Sequence, residues 1–198
     1  SIEGQSLLDD AIEAGRGVLV LVPHLGNWEL FALRFGEYGF VALYDPPRDP
    51  ELDTLVRTNR ERTGATLLPI DSRGFRSLLS ALRSGRPVSL LPDQVPERSA
   101  GLYAPFFSQP ALTMTFVHRL VRRWRPRVLM GACLRTHGGF EIRFSEPDPD
   151  IYADDAYTSV TAMNRSIEAL VREAPAQYQW EYKRFKRPPP GTPDRYRG

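Results

Sequence analysis

Short apolar runs alternate with amphipathic helical segments from Gly17 to Leu91, and this alternation predicts an α/β domain whose mixed, largely parallel sheet is flanked by helices. The runs are nearly unbroken in hydrophobicity, as strands covered on both faces require. A hairpin-like pair of runs, 128–135 and 140–144, follows around His137-Gly138-Gly139 and adds an antiparallel element. At 198 residues, 41% hydrophobic and 25% charged, the chain has the size and composition of one soluble domain with an ample core.

Leu7, Leu8, Ala11 and Ile12 recur at helical spacing, with Gly15 behind them, which predicts a helix over 6–14. Residues 17–22 form the first strand. Trp28, Leu30, Phe31, Leu33 and Phe35 then mark a well-buried helix to about Tyr38, ended by Gly39. A second strand spans 40–44, before the Pro46-Pro47 turn. The helix over 50–62 turns Leu52, Leu55 and Val56 to the core, and residues 65–70 are the third strand. Ser72 caps the next helix, carried by Phe75, Leu78, Leu79 and Leu82 and stopped at Gly85, and 87–91 is the fourth strand. From 92 to 110 the chain carries Pro92, Pro96, Pro105 and Pro110 and reads as a long irregular connection. Starting at a strand end, it suits a substrate cover. Helices are expected over 112–124 and 156–173. The last expected unit, 188–198, is a Pro-rich basic tail behind a domain of residues 1–187.

His24 and Glu29 stand out, because the segment Pro23-His24-Leu25-Gly26-Asn27-Trp28-Glu29 directly follows the first strand. An imidazole there sits at the carboxyl end of a strand, where open α/β sheets place their ligands. A hydroxyl attacks an acyl group slowly unless a base takes its proton, and a histidine with an ordinary pKa of about 6.5 does this well. Five residues apart is wrong for one face of a helix. With His24 before the helix and Glu29 within it, the chain can fold back so that Glu29 accepts from one ring nitrogen and leaves the other free as base. Against this stands the plain reading of a satisfied structural histidine.

The other candidates are positional. Asp93, followed by Gln94, ends another strand and points into the same crevice, or else caps a turn. Backbone amides near Gly26 and Asn27, and the segment Arg73-Gly74-Phe75-Arg76, are candidates to stabilise an oxyanion, with Arg73 favoured over Arg76. Arg98 in the covering loop and Arg48 after the Pro46-Pro47 turn suit phosphate binding, unless they are simply solvated. His118 lies among Phe116, Val117 and Leu120 and reads as structural, and His137 as exposed. No metal is expected, since neither has a partner at ligand spacing. The single Cys133, in an apolar run, reads as core and excludes an internal disulfide. The Tyr178, Trp180, Tyr182 and Phe185 cluster is read as closing a sheet edge.

Twenty-six Lys and Arg against 24 Asp and Glu leave a formal charge of only +2, but Arg far outnumbers Lys, which favours forked contacts to phosphate. Basic residues gather at 119–127 and 183–197. With no nucleic-acid motif beside them, an anionic lipid surface or a phosphorylated substrate is the expected partner rather than nucleic acid. No dinucleotide fingerprint, P-loop or nucleophile elbow is present, so direct transfer without an acyl-enzyme is expected.

The run His24 to Glu29 resembles the motif of the glycerolipid acyltransferases, a histidine and an acid separated by four residues. More narrowly it resembles the bacterial late acyltransferases of lipid A biosynthesis. Arg48-Asp49-Pro50-Glu51-Leu52-Asp53, Arg83-Ser84-Gly85-Arg86-Pro87-Val88, Leu91-Pro92-Asp93-Gln94 and Pro105-Phe106-Phe107 look like family blocks in family order. So do Ala174-Pro175-Ala176-Gln177-Tyr178-Gln179-Trp180 and Arg184-Phe185-Lys186, which extends the resemblance over nearly the whole chain.

The resemblance implies a glycerolipid-acyltransferase-like fold and acyl transfer to a hydroxyl of a lipid A precursor or related glycolipid. It implies catalysis by His24 and Glu29, and substrate contacts from Asn27, Arg48, Arg73, Asp93, Gln94 and Arg98. The donor it implies is an acyl thioester of acyl carrier protein or coenzyme A, with no cofactor, and the place is the cytoplasmic face of the bacterial inner membrane. Another glycolipid or a lysophospholipid is the alternative acceptor, and a non-catalytic lipid- or carrier-binding domain the alternative role. Family members usually carry an N-terminal anchor before the histidine. Its absence before His24 suggests a fragment holding the catalytic core, or a short form.

Overall fold

The computed structural model describes residues 1–196, so the last two residues of the expected tail lie outside the described residues. The strands are β1 (Ile2–Glu3), β2 (Val18–Leu21), β3 (Val41–Tyr44), β4 (Thr66–Pro69), β5 (Pro87–Leu90), β6 (Gly101–Phe106), β7 (Gln109–Met114), β8 (Arg127–Thr136) and β9 (Gly139–Ser145). The helices are α1 (Gln5–Glu13), α2 (Trp28–Phe35), α3 (Pro50–Glu61), α4 (Ser72–Arg83), α5 (Phe116–Trp124) and α6 (Ala156–Glu173). Seven strands form one sheet in the order β1-β9-β8-β2-β5-β3-β4. β8, β2, β5, β3 and β4 are mutually parallel, and β9 runs antiparallel to β8. The expected α/β class and largely parallel sheet are what the chain adopts.

β2 shows why its run is unbroken. Val18 and Val20 pack into a layer with Leu8, Phe31 and Phe35 from α1 and α2. Leu19 and Leu21 point the other way, into a layer with Leu78, Leu82, Val117, Leu120 and Ile167 from α4, α5 and α6. The period-two alternation thus feeds two apolar layers instead of one core and one wet face. All four β2 side chains are fully buried, each worth roughly 1.5 to 3 kcal/mol.

Four expectations are corrected. The connection over 92–110 is not irregular throughout, because β6 and β7 pair as a separate two-stranded ribbon. Its prolines hid it: Pro105 faces Pro110 across the ladder, and a ribbon whose strands are both edges tolerates missing N–H donors. Phe107 and Ser108 make its turn, both with positive φ, 48° and 60°. Second, β7 takes the start of the helix expected over 112–124, which begins only at Phe116. Third, Leu52 and Leu55 on α3 are 47% and 60% exposed, not core-facing. α3 covers the edge strand β4 partly through polar contacts, with the Glu61 carboxylate accepting from Leu67 N at 2.9 Å and Arg57 donating to Leu67 O at 3.3 Å. Fourth, α4 is capped by Asp71 rather than Ser72, its carboxylate accepting from Arg73 N and Gly74 N at 2.8 and 2.7 Å.

Beyond α6 the chain returns across the carboxyl ends of the central strands. Leu25 bridges Tyr178 in antiparallel fashion, Gly26 N donates to Gln177 O at 2.9 Å, and Gln179 N donates to His24 O at 2.9 Å. The aromatic segment expected to close a sheet edge instead straps the loop after β2. No helix among the described residues is long and apolar enough to cross a membrane.

Candidate active site

β2 and β5 are parallel neighbours in a register that sets Leu21 opposite Leu90. His24 lies three residues beyond Leu21 and Asp93 three beyond Leu90, so equal offsets from one rung carry both side chains into the crevice at the strand ends. His24 Nδ1 lies 2.8 Å from Asp93 Oδ1, and His24 N donates to Asp93 Oδ2 at 2.9 Å. His24 is 2% exposed and Asp93 4%. A carboxylate only accepts, so this contact puts the imidazole proton on Nδ1 and leaves the Nε2 lone pair free. Nε2 faces the Gln94 side-chain amide at 3.5 Å. The Trp28 and Tyr182 rings meet the imidazole edge-on, at centroid distances of 5.8 and 4.6 Å.

The loop holding His24 has little freedom. Gly26 has φ +65°, and a Cβ there would fall 2.1 Å from Cys133 O. Asn27 N donates to that carbonyl at 2.8 Å, and Asn27 Oδ1 caps α2 by accepting from Leu30 N at 3.0 Å. The Gly26 and Asn27 amides expected to face an oxyanion are therefore both occupied within the protein.

Beneath Asp93 is a buried polar group. Burial raises the Tyr178 phenol far above its ordinary pKa, and the adjacent Asp93 charge, with a hydrogen bond to that carboxylate, adds to the effect. A neutral Tyr178 hydroxyl is thus a permanent donor. Arg184, 3% exposed, donates to Leu112 O and Thr113 Oγ1, each at 2.7 Å. Burial lowers its pKa, while Tyr178 and Asp93 oppose that shift.

Glu29 takes a different place from the one expected. Its carboxylate receives both arms of Arg60, Nε to Oε2 at 3.0 Å and a second guanidinium nitrogen to Oε1. Asp93, not Glu29, is the acid on the His24 ring. From the first turn of α2 the Glu29 side chain projects towards α3, and a forked guanidinium matches a carboxylate better than an imidazole does. Arg60 also lies over the Trp28 and Tyr44 rings, at 5.1 and 5.3 Å.

His24, Gln94, Trp28, Arg60, Arg119 and Tyr182 share the wall of a cleft of about 590 Å³, within the range of ligand sites. Arg48 and Arg73 are exposed outside that wall, and Arg98 holds the C-terminal segment by donating to Tyr103 Oη and to Pro188 O. Sequence reasoning missed Arg60, Arg119 and Arg184. Arg60 carries no local signal, being one arginine on a charged helix, and Arg119 was marked only as part of the basic run 119–127. Arg184 opens a family-like block and lies in the basic run 183–197, and neither mark pointed to a buried role beneath Asp93. His118 is buried with a pKa lowered by burial and by Arg122, as a histidine on the core face of α5 should be.

A family model described as bacterial lipid A biosynthesis acyltransferase matches residues 1–187. The lipid A biosynthesis lauroyltransferase of Escherichia coli K12 is 30% identical over 98% of this chain and 64% of its own length. The palmitoleoyltransferase of the same organism is 28% identical over 98% of this chain and 64% of its own length. A lipid A biosynthesis acyltransferase of Haemophilus influenzae is 26% identical over 89% of this chain and 56% of its own length. The chain thus spans less than two thirds of the length of these relatives.

Proposed function

The chain belongs to the bacterial lipid A biosynthesis acyltransferase family, and from that premise we propose that it transfers a fatty acyl group from an acyl thioester to a hydroxyl of a lipid A precursor or related phosphorylated glycolipid. The observation that carries the mechanism is the His24–Asp93 pair, with Nδ1 held and Nε2 free at the wall of the cleft. Nε2 takes the proton of the acceptor hydroxyl as its oxygen bonds to the thioester carbonyl carbon. General-base help of this kind contributes about 10² to 10⁴ in rate. Asp93 stabilises the imidazolium that results. When the tetrahedral intermediate collapses, the C–S bond breaks and the imidazolium returns its proton to the departing thiolate. No enzyme acyl group is formed.

With the Gly26 and Asn27 amides occupied, the Gln94 amide beside Nε2 is the donor best placed for the oxyanion. Glu29 acts at one remove. It fixes Arg60, which with Trp28 forms one wall of the acceptor site and offers a cation to phosphate. The place of action in this reading is the cytoplasmic face of the inner membrane.

The test is mass spectrometry of products after offering acyl carrier protein and coenzyme A thioesters with a lipid A precursor, and separately with lysophospholipids. Acylated lipid A precursor from the wild type, lost in His24→Ala, is the expected result. Acylation of lysophospholipid alone would change the acceptor. Binding without turnover would make the domain a carrier or lipid binder.

A further inference from the structure

α4 and α5 divide their charge unlike the rest of the chain. Arg73, Arg76 and Arg83 on α4, and Arg119, Arg122 and Arg123 on α5, are all exposed, and neither helix contains an Asp or Glu. Over the whole chain the two signs are nearly equal, 26 against 24. Among the described residues, arginines elsewhere are commonly paired, as in Arg125–Asp154, Arg127–Glu146 and Arg187–Glu97. None of the six is in an ion pair with another described residue.

Between these two helices runs an open groove of about 550 Å³, lined by Phe75, Leu79, Phe116, Leu120 and Trp124, with Arg119 and Arg123 on its rim. Phe75 and Phe116 meet edge-to-face at 5.2 Å, and with Arg119 they line both this groove and the active cleft. An apolar trough edged by guanidinium groups therefore borders the cleft, with Phe75, Phe116 and Arg119 common to both walls.

We propose that the α4–α5 face docks on a lipid bilayer bearing anionic headgroups, with the Phe75–Leu79–Trp124 groove against the acyl-chain boundary and the six arginines on phosphate. Aromatic and leucine side chains with arginines at their edge match the interfacial region, where aliphatic stems lie in the apolar layer and charged heads reach the phosphates. An acidic carrier protein fits the charge but gives no reason for an open apolar trough beside the cleft. A bilayer does, since its acyl-chain boundary covers the trough and brings a lipid acceptor next to the neighbouring cleft. The proposal takes its purpose from the lipid-acceptor reading above, but its test needs no turnover.

The 198-residue protein is floated with phosphatidylcholine vesicles with and without phosphatidylglycerol, beside Arg83→Gln/Arg122→Gln/Arg123→Gln, Trp124→Ala and the control Arg62→Gln. The expected result is tight binding to anionic vesicles, weakened roughly a hundredfold in the triple variant, reduced in Trp124→Ala and unchanged in Arg62→Gln. Turnover of detergent-dispersed acceptor should be unchanged in the triple variant. Equal binding by the triple variant and the wild type, or no vesicle binding by the wild type, overturns the proposal. So does a triple variant that binds vesicles normally but loses saturation by an acyl carrier protein thioester. Vesicle binding that persists in a chain unable to acylate anything would overturn the acyl-transfer reading and leave this surface standing.

Discussion

Two acids lie beside the same cleft, Asp93 beyond the end of β5 and Glu29 in the first turn of α2, and their surroundings give them different work. Asp93 is 4% exposed and is fixed by the backbone and ring of His24. The Glu29 side chain is 45% exposed and paired with Arg60, which is itself 24% exposed. A buried carboxylate on an imidazole holds one tautomer with little competition from water. A half-exposed carboxylate on a guanidinium is screened and contributes modestly. The difference teaches that the acid nearest in sequence to a histidine need not be the acid that orients it. Parallel pairing of β2 with β5 brings residue 93 closer in effect than residue 29.

The comparison can be broken most forcefully at its shared member. His24→Ala should lower kcat/KM by about 10³ to 10⁴, measured as steady-state acylation by protein of native circular dichroism. Activity near the wild-type level would remove the base. Glu29→Gln should cost less, roughly five- to thirtyfold, and mainly in KM for the acceptor, because it loosens Arg60 without touching Nδ1. Combined with Arg60→Gln it should be far from additive, and combined with Asp93→Asn close to additive. Coupling strong with Asp93 and absent with Arg60 would reverse the two roles.

Gly26→Ala sharpens the comparison through the loop both residues depend on. A side chain at φ +65° that meets Cys133 O should lower stability by more than about 2 kcal/mol, read from urea unfolding. The smallest effect belongs to His118, remote from both acids. Its folded pKa lies below the ordinary value, so the unfolded chain binds more protons between the two values and stability rises with pH there. Stability should decline as pH falls below about 6.5, and His118→Leu should flatten that decline by less than about 1 kcal/mol. An unchanged slope in the variant would assign the decline to other groups.

Much of the fold was legible because it rests on local pattern. β2 through β5, the hairpin of β8 and β9, and α6 follow from apolar periodicity and turn residues. β6 and β7 were not legible, because Pro105 and Pro110 argue against strands until they are seen facing each other. His24, Asp93 and Gln94 could be placed near one another by their positions after strands. The exchange of partners could not, since it depends on which strands are neighbours and on Arg60 arriving from α3. The strap of Tyr178 and Tyr182 over His24 was hidden for the same reason: nothing local to the C-terminal aromatic cluster says which loop it crosses.

The most direct test of the central claim sets Asp93→Asn beside Glu29→Gln at saturating donor and acceptor, with both variants shown to be folded by thermal melting. In Asp93→Asn the carbonyl oxygen can still accept from His24 N, while the amide nitrogen faces Nδ1 and drives the proton to Nε2, the wrong tautomer for a base. The account predicts a fall in kcat of about 10³ or more for Asp93→Asn and less than about tenfold for Glu29→Gln. A near-native kcat in Asp93→Asn, with kcat abolished in Glu29→Gln, would contradict it.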